Sequence, residues 1–282
     1  EGKQSVLKLS VLSESIIRVQ RQMDNQSAPE ELILTNPLPE YEDWSVKETP
    51  DFITVETPAI RAVYSRADST LQFCDCAFGK IILREKETRF TMTSQENGWT
   101  GHVEQSFWSD ENEILGGLGQ QADGVCNYKG RFVHLNQFNI ISAVPVLISG
   151  NGYGLLWNNC SLTEINRRKT PLKLDFHPYT KTFGTVFVPR QTGQYIWIIE
   201  KLTKNMGYEN LVVRVGDTVV IERGTSWHAN YYTGSIRLEA GKEYSVFVNA
   251  AVNLYYQTPD QQEETSIWSE VGGGIDYCVL YG

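Results

Sequence analysis

The stretch "EILGGLGQQADGVCNYKGRFVHLNQFNIISAVPVLISGNGYGLLWNNCS", Glu113 to Ser161, decides the fold. Its apolar segments are short, and glycine-rich turns separate them. Gly119 and Gly130 permit tight backbone turns, and Pro145 is expected at a sheet edge or at the start of a strand. The stretch therefore predicts a strand, a glycine-rich loop, a second strand, a turn and a third strand.

The remainder of the 282-residue chain shows the same strand pattern. Short alternating segments recur every 8–12 residues or so, with turn residues between them, which favours β-sandwiches over a parallel α/β sheet. The segment "VVRVGDTVVIE" predicts a hairpin whose two-residue turn is Gly216-Asp217. Trp157 and Trp268 lie in strand patterns and are predicted to be core residues. The chain is thus expected to be all-β.

Composition excludes two classes of partner. Lys and Arg number 25 against 34 Asp and Glu, so the net charge is −9, and nucleic-acid binders need clustered basic residues. No stretch approaches the roughly 18 apolar residues of a membrane span. We therefore expect neither a nucleic-acid partner nor a membrane span.

Cysteine and histidine usage predicts no metal site and no cofactor. The five cysteines include Cys74 and Cys76, whose spacing suits neither a zinc site nor an easy disulfide, so free thiols are expected. Only four histidines are present, and His228 has no partner cluster in the sequence.

A change of composition near residue 175 indicates a domain boundary. The sequence there is polar and interrupted by proline, a compact β pattern follows, and "QTPDQQEETS" then resembles a linker. We predict a first sandwich over 1–175, an inserted module over 182–253, and a return to the first sandwich over 254–282.

The motifs "GLGQ", "GYGLLWNN" and "IDYCVLYG", together with the early "SESIIRVQ", resemble the N-terminal β-sandwich of glycoside hydrolase family 31, the α-glucosidases and α-xylosidases. The resemblance covers roughly residues 1–175 and 264–282. It implies a galactose-mutarotase-like β-sandwich interrupted by a smaller sandwich.

The inserted region resembles the PA14 module of some carbohydrate-active enzymes and adhesins. The segments that carry this resemblance are "FVPRQTGQYIW", "VVRVGDTVV" and "IRLEAGKEYSVFV", together with Trp227. The Asp-Asp pair that binds calcium in such adhesins is not present in the sequence.

In the family, the strand ending in "YG" leads into a (β/α)8 barrel that carries the two catalytic aspartates. The resemblance therefore implies that this chain is the non-catalytic N-terminal portion of a retaining α-glycosidase acting on plant or other oligosaccharides. We assign no catalytic residue to it, and its expected partners are the oligosaccharide and the barrel of the same polypeptide. An extracytoplasmic location in a bacterium, periplasmic, secreted or on the cell surface, is also implied. Xylose, glucose and galactose remain open as the α-linked sugar.

Five residues are candidates for substrate binding. The resemblance implies that the loop carrying Gln137 and Asn139 leans over the barrel mouth, although these side chains could equally cap a sandwich edge. Trp227, Tyr231 and Tyr232 lie in a segment expected to be a loop, where aromatic rings could stack on sugars. The alternative is that Trp227 is a core residue and that the tyrosines line a half-exposed surface.

Two other functions stay open at this point. A free-standing carbohydrate-binding or adhesion protein would bind glycan through residues 182–253 alone. A mutarotase-like enzyme would need a histidine and a carboxylate facing one pocket, and His102, His134 and His177 show no evident pairing in the sequence.

Overall fold

A computed structural model describes residues 5–23, 40–96, 98–121, 123–137, 139, 141–202, 210–224 and 230–282. Within these residues the chain forms strands β1 to β24 and one short 3₁₀ helix, Pro259–Gln262. The strands are β1 (Ser5–Ser13), β2 (Ile16–Met23), β3 (Ser45–Glu48), β4 (Phe52–Glu56), β5 (Ile60–Ser65), β6 (Leu71–Asp75), β7 (Ile81–Gln95), β8 (Gly98–Trp108), β9 (Leu115–Gln120), β10 (Val133–Leu135), β11 (Ser142–Ser149), β12 (Tyr153–Trp157), β13 (Thr163–Ile165), β14 (Thr170–Leu172), β15 (Asp175–His177), β16 (Thr182–Phe187), β17 (Gly193–Lys201), β18 (Asn210–Val215), β19 (Thr218–Gly224), β20 (Tyr231–Leu238), β21 (Tyr244–Val248), β22 (Val252–Gln257), β23 (Glu264–Ser269) and β24 (Gly274–Tyr281). The predicted all-β class is confirmed.

Two sheets form the first sandwich. One has the strand order β1-β2-β24-β12-β11-β9, and the other has the order β10-β13-β23-β8-β7-β6-β5-β4-β3. Buried residues of both sheets share one hydrophobic core. Across it the rings of Phe107 and Tyr277 meet edge to face with centroids 5.4 Å apart.

The last strand, β24, lies inside the six-stranded sheet between β2 and β12. Its alternation places Ile275, Tyr277 and Val279 in the core. Asp276 on the opposite face is also buried, and it accepts hydrogen bonds from Arg18 Nε at 2.8 Å and Asn158 Nδ2 at 2.9 Å. The charge on this face is therefore paired, as a buried charge requires.

The second sandwich consists of a four-stranded sheet, β14-β22-β17-β20, and a five-stranded sheet, β15-β16-β21-β18-β19. Trp197, Val213 and Val248 are fully buried between them. The predicted β18–β19 hairpin is confirmed, and Gly216 in its turn has a φ of +59°. Glycine adopts this left-handed conformation without a Cβ penalty.

The chain passes from the first sandwich into the second and then returns to the first. Strands β14 to β22 all belong to the second sandwich, while β23 and β24 rejoin the two sheets of the first. The division at 1–175, 182–253 and 254–282 into separately folding units stays a prediction, as does the PA14 likeness of the inserted part. Within the described residues, no helix is long and apolar enough to cross a membrane.

The two tryptophans predicted to be core residues differ in burial. Trp157 is buried, and its indole N–H donates to Ser269 Oγ at 2.9 Å, so that prediction is confirmed. The prediction for Trp268 is wrong, because Ile267 takes the inward position of β23. Trp268 is half-buried on the outer face, where the Arg167 Cζ atom lies over its ring, 3.8 Å from the ring centroid.

Candidate functional site

The turn between β10 and β11 carries the first two candidate residues. Gln137 and Asn139 are both exposed, and Asn139 has a left-handed φ of +40°. The Gln137 side-chain oxygen accepts a hydrogen bond from Ala143 N at 3.1 Å, which ties the turn to β11. The structure therefore presents two carboxamide groups to solvent at one edge of the first sandwich. Their predicted role in substrate binding stays a prediction.

The two candidate tyrosines lie at the start of β20 rather than in a loop, so that part of the prediction is wrong. Consecutive strand residues point to opposite faces. Tyr232 enters the core of the second sandwich and is 3% exposed, and burial raises the pKa of its hydroxyl to about 12. Tyr231 faces the first sandwich instead. Trp227 and His228 lie outside the described residues.

Tyr231 belongs to a cluster of hydrogen bonds around Glu200 of β17. Tyr231 donates its hydroxyl to Oε1 at 2.7 Å, while Tyr255 and Asn253 donate to Oε2 at 2.8 and 3.1 Å. Burial acts to raise the pKa of Glu200, but these three bonds and the charge of Lys169 hold the pKa below its usual value. The carboxylate is therefore stabilised in its ionised form.

Lys169 sits among aromatic rings beside this carboxylate. Its Nζ lies 3.9 Å from the ring centroid of Phe132 and 4.8 Å from those of Tyr231 and Tyr255. Ammonium groups are attracted to the faces of aromatic rings at these distances. Burial lowers the pKa of Lys169, while the charges of Glu164 and Glu200 oppose that shift.

The cluster also reaches the strand that leads to the Gln137 turn. The His134 ring lies 5.4 Å from the Tyr231 ring, and its Nδ1 is 3.4 Å from Glu164 Oε1. The structure therefore brings Tyr231 to the strand that precedes Gln137, while Tyr232 points away from it. In chemical terms the cluster joins the two sandwiches, with its charges and hydroxyls paired to one another.

Replacing Glu200 with glutamine tests the charge of this cluster. The pKa of Glu200 is lower in the folded state than in the unfolded chain, where it is about 4.3. The ionised carboxylate therefore stabilises the fold above that pH. This stabilisation is lost as the pH falls through the pKa of Glu200 in the folded state. We expect Glu200→Gln to lower the urea midpoint at about pH 7, and the difference from the parent chain to shrink at about pH 3.5.

The matched control is Glu222→Gln, an exposed carboxylate on β19. Because this side chain is exposed, we expect Glu222→Gln to leave the urea midpoint at about pH 7 close to that of the parent chain. If Glu200→Gln lowered the midpoint equally at both pH values, the ionised carboxylate would not be the stabilising species.

Sequence reasoning missed Glu200, Lys169 and Phe132. A signal for Glu200 was present in the segment "QYIWIIE", Gln194 to Glu200, where apolar residues occupy both faces of one strand. Such a pattern indicates a strand covered on both sides. Lys169 and Phe132 lie in segments without any periodic pattern, so their roles depend on contacts distant in sequence.

Comparisons with known proteins bear on the family. The chain is 28% identical over 182 residues to an α-xylosidase of Saccharolobus solfataricus, a match that covers 60% of this chain and 24% of that protein. It superposes on the crystal structure of an α-xylosidase of glycoside hydrolase family 31 from Xanthomonas citri with a TM-score of 0.79 and 23% identity, over 99% of this chain and 38% of that one. A family 31 α-xylosidase from a soil metagenome gives a TM-score of 0.55 at 16% identity, over 100% and 31% of the two chains. The chain thus spans well under half the length of each relative.

The family description that matches is the glycosyl hydrolase 31 N-terminal galactose mutarotase-like domain, over residues 6–166. The two structural likenesses show the same fold over nearly the whole chain. The matched residues include the "GLGQ" and "GYGLLWNN" motifs and make up more than half of the sequence. By this domain, the chain belongs to glycoside hydrolase family 31.

Proposed function

We propose that this chain is the non-catalytic N-terminal portion of a retaining α-glycosidase, either an α-glucosidase or an α-xylosidase. Its role is to shape the cleft for a plant or other oligosaccharide that a (β/α)8 barrel of the same polypeptide hydrolyses. The observation that carries this proposal is the family match over residues 6–166. The 28% identity to an α-xylosidase of Saccharolobus solfataricus supports it.

Gln137 and Asn139 are the residues through which the cleft would be shaped. Both are exposed at one edge of the sandwich, and the bond from Ala143 N uses the side-chain oxygen of Gln137 rather than its amide N–H groups. Carboxamides both donate and accept hydrogen bonds, as sugar hydroxyls do. The turn is therefore suited to a polyhydroxylated ligand.

The alternative of a free-standing carbohydrate-binding protein is not favoured. Of the tyrosines expected to stack on sugar, Tyr232 is buried in the core and Tyr231 is engaged by Glu200 and packed against Phe132. An extracytoplasmic location belongs to the main proposal, and fractionation of cells that produce the full-length protein tests it.

The test of function uses the full-length product of the gene that encodes this chain. We expect it to hydrolyse aryl α-xylosides or α-glucosides, and we expect Gln137→Ala and Asn139→Ala each to lower kcat/KM by about tenfold, the loss of one or two hydrogen bonds to substrate. The control is Asn112→Ala, which changes an exposed side chain just before β9 begins at Leu115. A protein that hydrolyses neither substrate would overturn the proposal.

A further inference from the structure

We propose that the second sandwich holds the loop of residues 123–132 in place, with Arg131 and Phe132 as positioning residues for the turn at Gln137 and Asn139. The contribution of that turn to substrate binding rests on the proposed function. The holding of the loop rests on contacts between the two sandwiches.

The first sandwich holds the middle of this loop. Tyr128 N donates to Leu115 O at 2.7 Å, the Asn127 side-chain oxygen accepts from Leu115 N at 3.1 Å, and Asn166 Nδ2 donates to Arg131 O at 3.0 Å. These bonds fix the backbone in the middle of the loop. The side chains at its end turn towards the second sandwich.

Arg131 reaches two hydroxyl groups of β20. Its two terminal nitrogens donate to Thr233 Oγ1 and Ser235 Oγ, each at 3.1 Å. Residues two apart on a strand point to the same face, so the hydroxyls form a row that matches the fork of a guanidinium. Burial lowers the pKa of Arg131, which remains a cation at neutral pH.

Phe132 covers an apolar patch on the same sheet. It is 3% exposed and shares a buried cluster with Ile196 and Ile198 of β17. These isoleucines are on the face of the four-stranded sheet that points away from its own core, where an uncovered antiparallel sheet carries polar residues. The patch is therefore matched to a covering residue from the first sandwich.

The fit extends to the backbone at Gly130. A Cβ added there would lie 2.5 Å from Gln262 Cγ and 3.1 Å from Ile196 Cδ1, and the residue has a φ of +64°. At the start of the loop, the Arg223 guanidinium donates to the carbonyl oxygen of Asp123. The second sandwich therefore touches the loop at both its ends.

Arg131 and Phe132, which together form a clamp between the loop and the second sandwich, are close in sequence to the turn at Gln137 and Asn139. Phe132 precedes β10, a strand of three residues at the edge of the nine-stranded sheet that pairs only with β13 among the described strands. Gln137 follows two residues after that strand. Because so short an edge strand has few backbone bonds of its own, the hold on Arg131 and Phe132 adds to the bond between Ala143 N and Gln137 in placing this turn.

The test releases the loop from each side of the contact. Arg131→Met removes the fork from the loop, and the double variant Thr233→Val with Ser235→Ala removes its partners without changing the loop. In the 282-residue chain we expect backbone amides of residues 123–135 to exchange hydrogen about tenfold faster in both variants. Arg237→Met, an exposed arginine on β20, is the control and should leave exchange unchanged.

A kinetic measurement separates positioning from a general structural effect. In the full-length protein we expect the double variant to raise KM by about five- to tenfold with kcat within about twofold, because the substrate contacts lose their placement while the chemistry is unaffected. Unchanged exchange in both variants, or a fall in kcat with KM constant, would overturn the proposal. If the full-length protein hydrolyses no α-glycoside, the proposed function fails, and the exchange result still decides whether the loop is held.

Discussion

Replacing Glu85 with glutamine is expected to lower the free energy of unfolding of the first sandwich by about 3–5 kcal/mol, the usual cost of breaking a buried ion pair from one side. Glu85 Oε2 accepts from Arg21 at 2.5 Å and from Leu71 N at 2.7 Å, and Oε1 accepts from the Tyr277 hydroxyl at 2.7 Å. The side chains of Arg21 and Glu85 are 6% and 1% exposed. Glutamine would leave the Arg21 charge buried without its counter-charge.

The position of this carboxylate explains why the effect should be large. Glu85 is on β7 of the nine-stranded sheet, while Arg21 and Tyr277 are on β2 and β24 of the six-stranded sheet. The network therefore crosses the sandwich core. Removing only one member of such a cluster costs stability, because the polar groups that remain lose their partner and are shielded from water.

The control is Glu87→Gln on the same strand, since Glu87 pairs with Arg89 at the surface and an exposed pair contributes about 0–1 kcal/mol. Urea denaturation at neutral pH measures both variants. In a double-mutant cycle, Arg21→Met combined with Glu85→Gln should cost less than the sum of the single changes. Equal losses for Glu85→Gln and Glu87→Gln would show that the buried network contributes nothing beyond a surface pair.

Much of the fold was predictable because its strands alternate cleanly. Ile275, Tyr277 and Val279 occupy one face of β24, and the residues around Gly216 form the hairpin that the sequence indicates. Local periodicity and turn chemistry are sufficient for such elements. Trp268 was misplaced because β23 carries apolar residues on both faces, so alternation alone does not say which of them is inside.

The candidate site was less predictable, because its geometry is set by contacts distant in sequence. Gln137 and Asn139 lie in an exposed turn, where a resemblance could point to them. Arg131 bonds to residues of β20 that lie about one hundred positions away in the chain. No periodic pattern records such a contact, because strand order and the docking of one sandwich on the other arise only from the tertiary fold.

Replacing Gly119 with alanine is expected to cost about 2–5 kcal/mol, which combines the penalty of a left-handed conformation with that of a forced backbone shift. Gly119 has a φ of +81°, and a Cβ there would lie 2.0 Å from the carbonyl oxygen of Ser142. That contact is with the neighbouring strand β11, where the pairing of β9 and β11 shifts register between Ala143 and Leu147. No side-chain rotation can relieve a clash with backbone.

The same "GGLG" motif supplies the matched control. Gly116 has no left-handed φ, and the nearest atom to an added Cβ there is the carbonyl oxygen of Ile148 at 4.0 Å, so Gly116→Ala should change stability by less than about 1 kcal/mol. Thermal and urea unfolding of the two variants decide the matter. A large loss of stability for Gly119→Ala with little for Gly116→Ala would show that the motif serves the register shift between β9 and β11, just before the loop of residues 123–132. Similar losses for both would mean that the glycines serve strand pairing in general, and that the left-handed conformation of Gly119 is not what the fold requires of this motif.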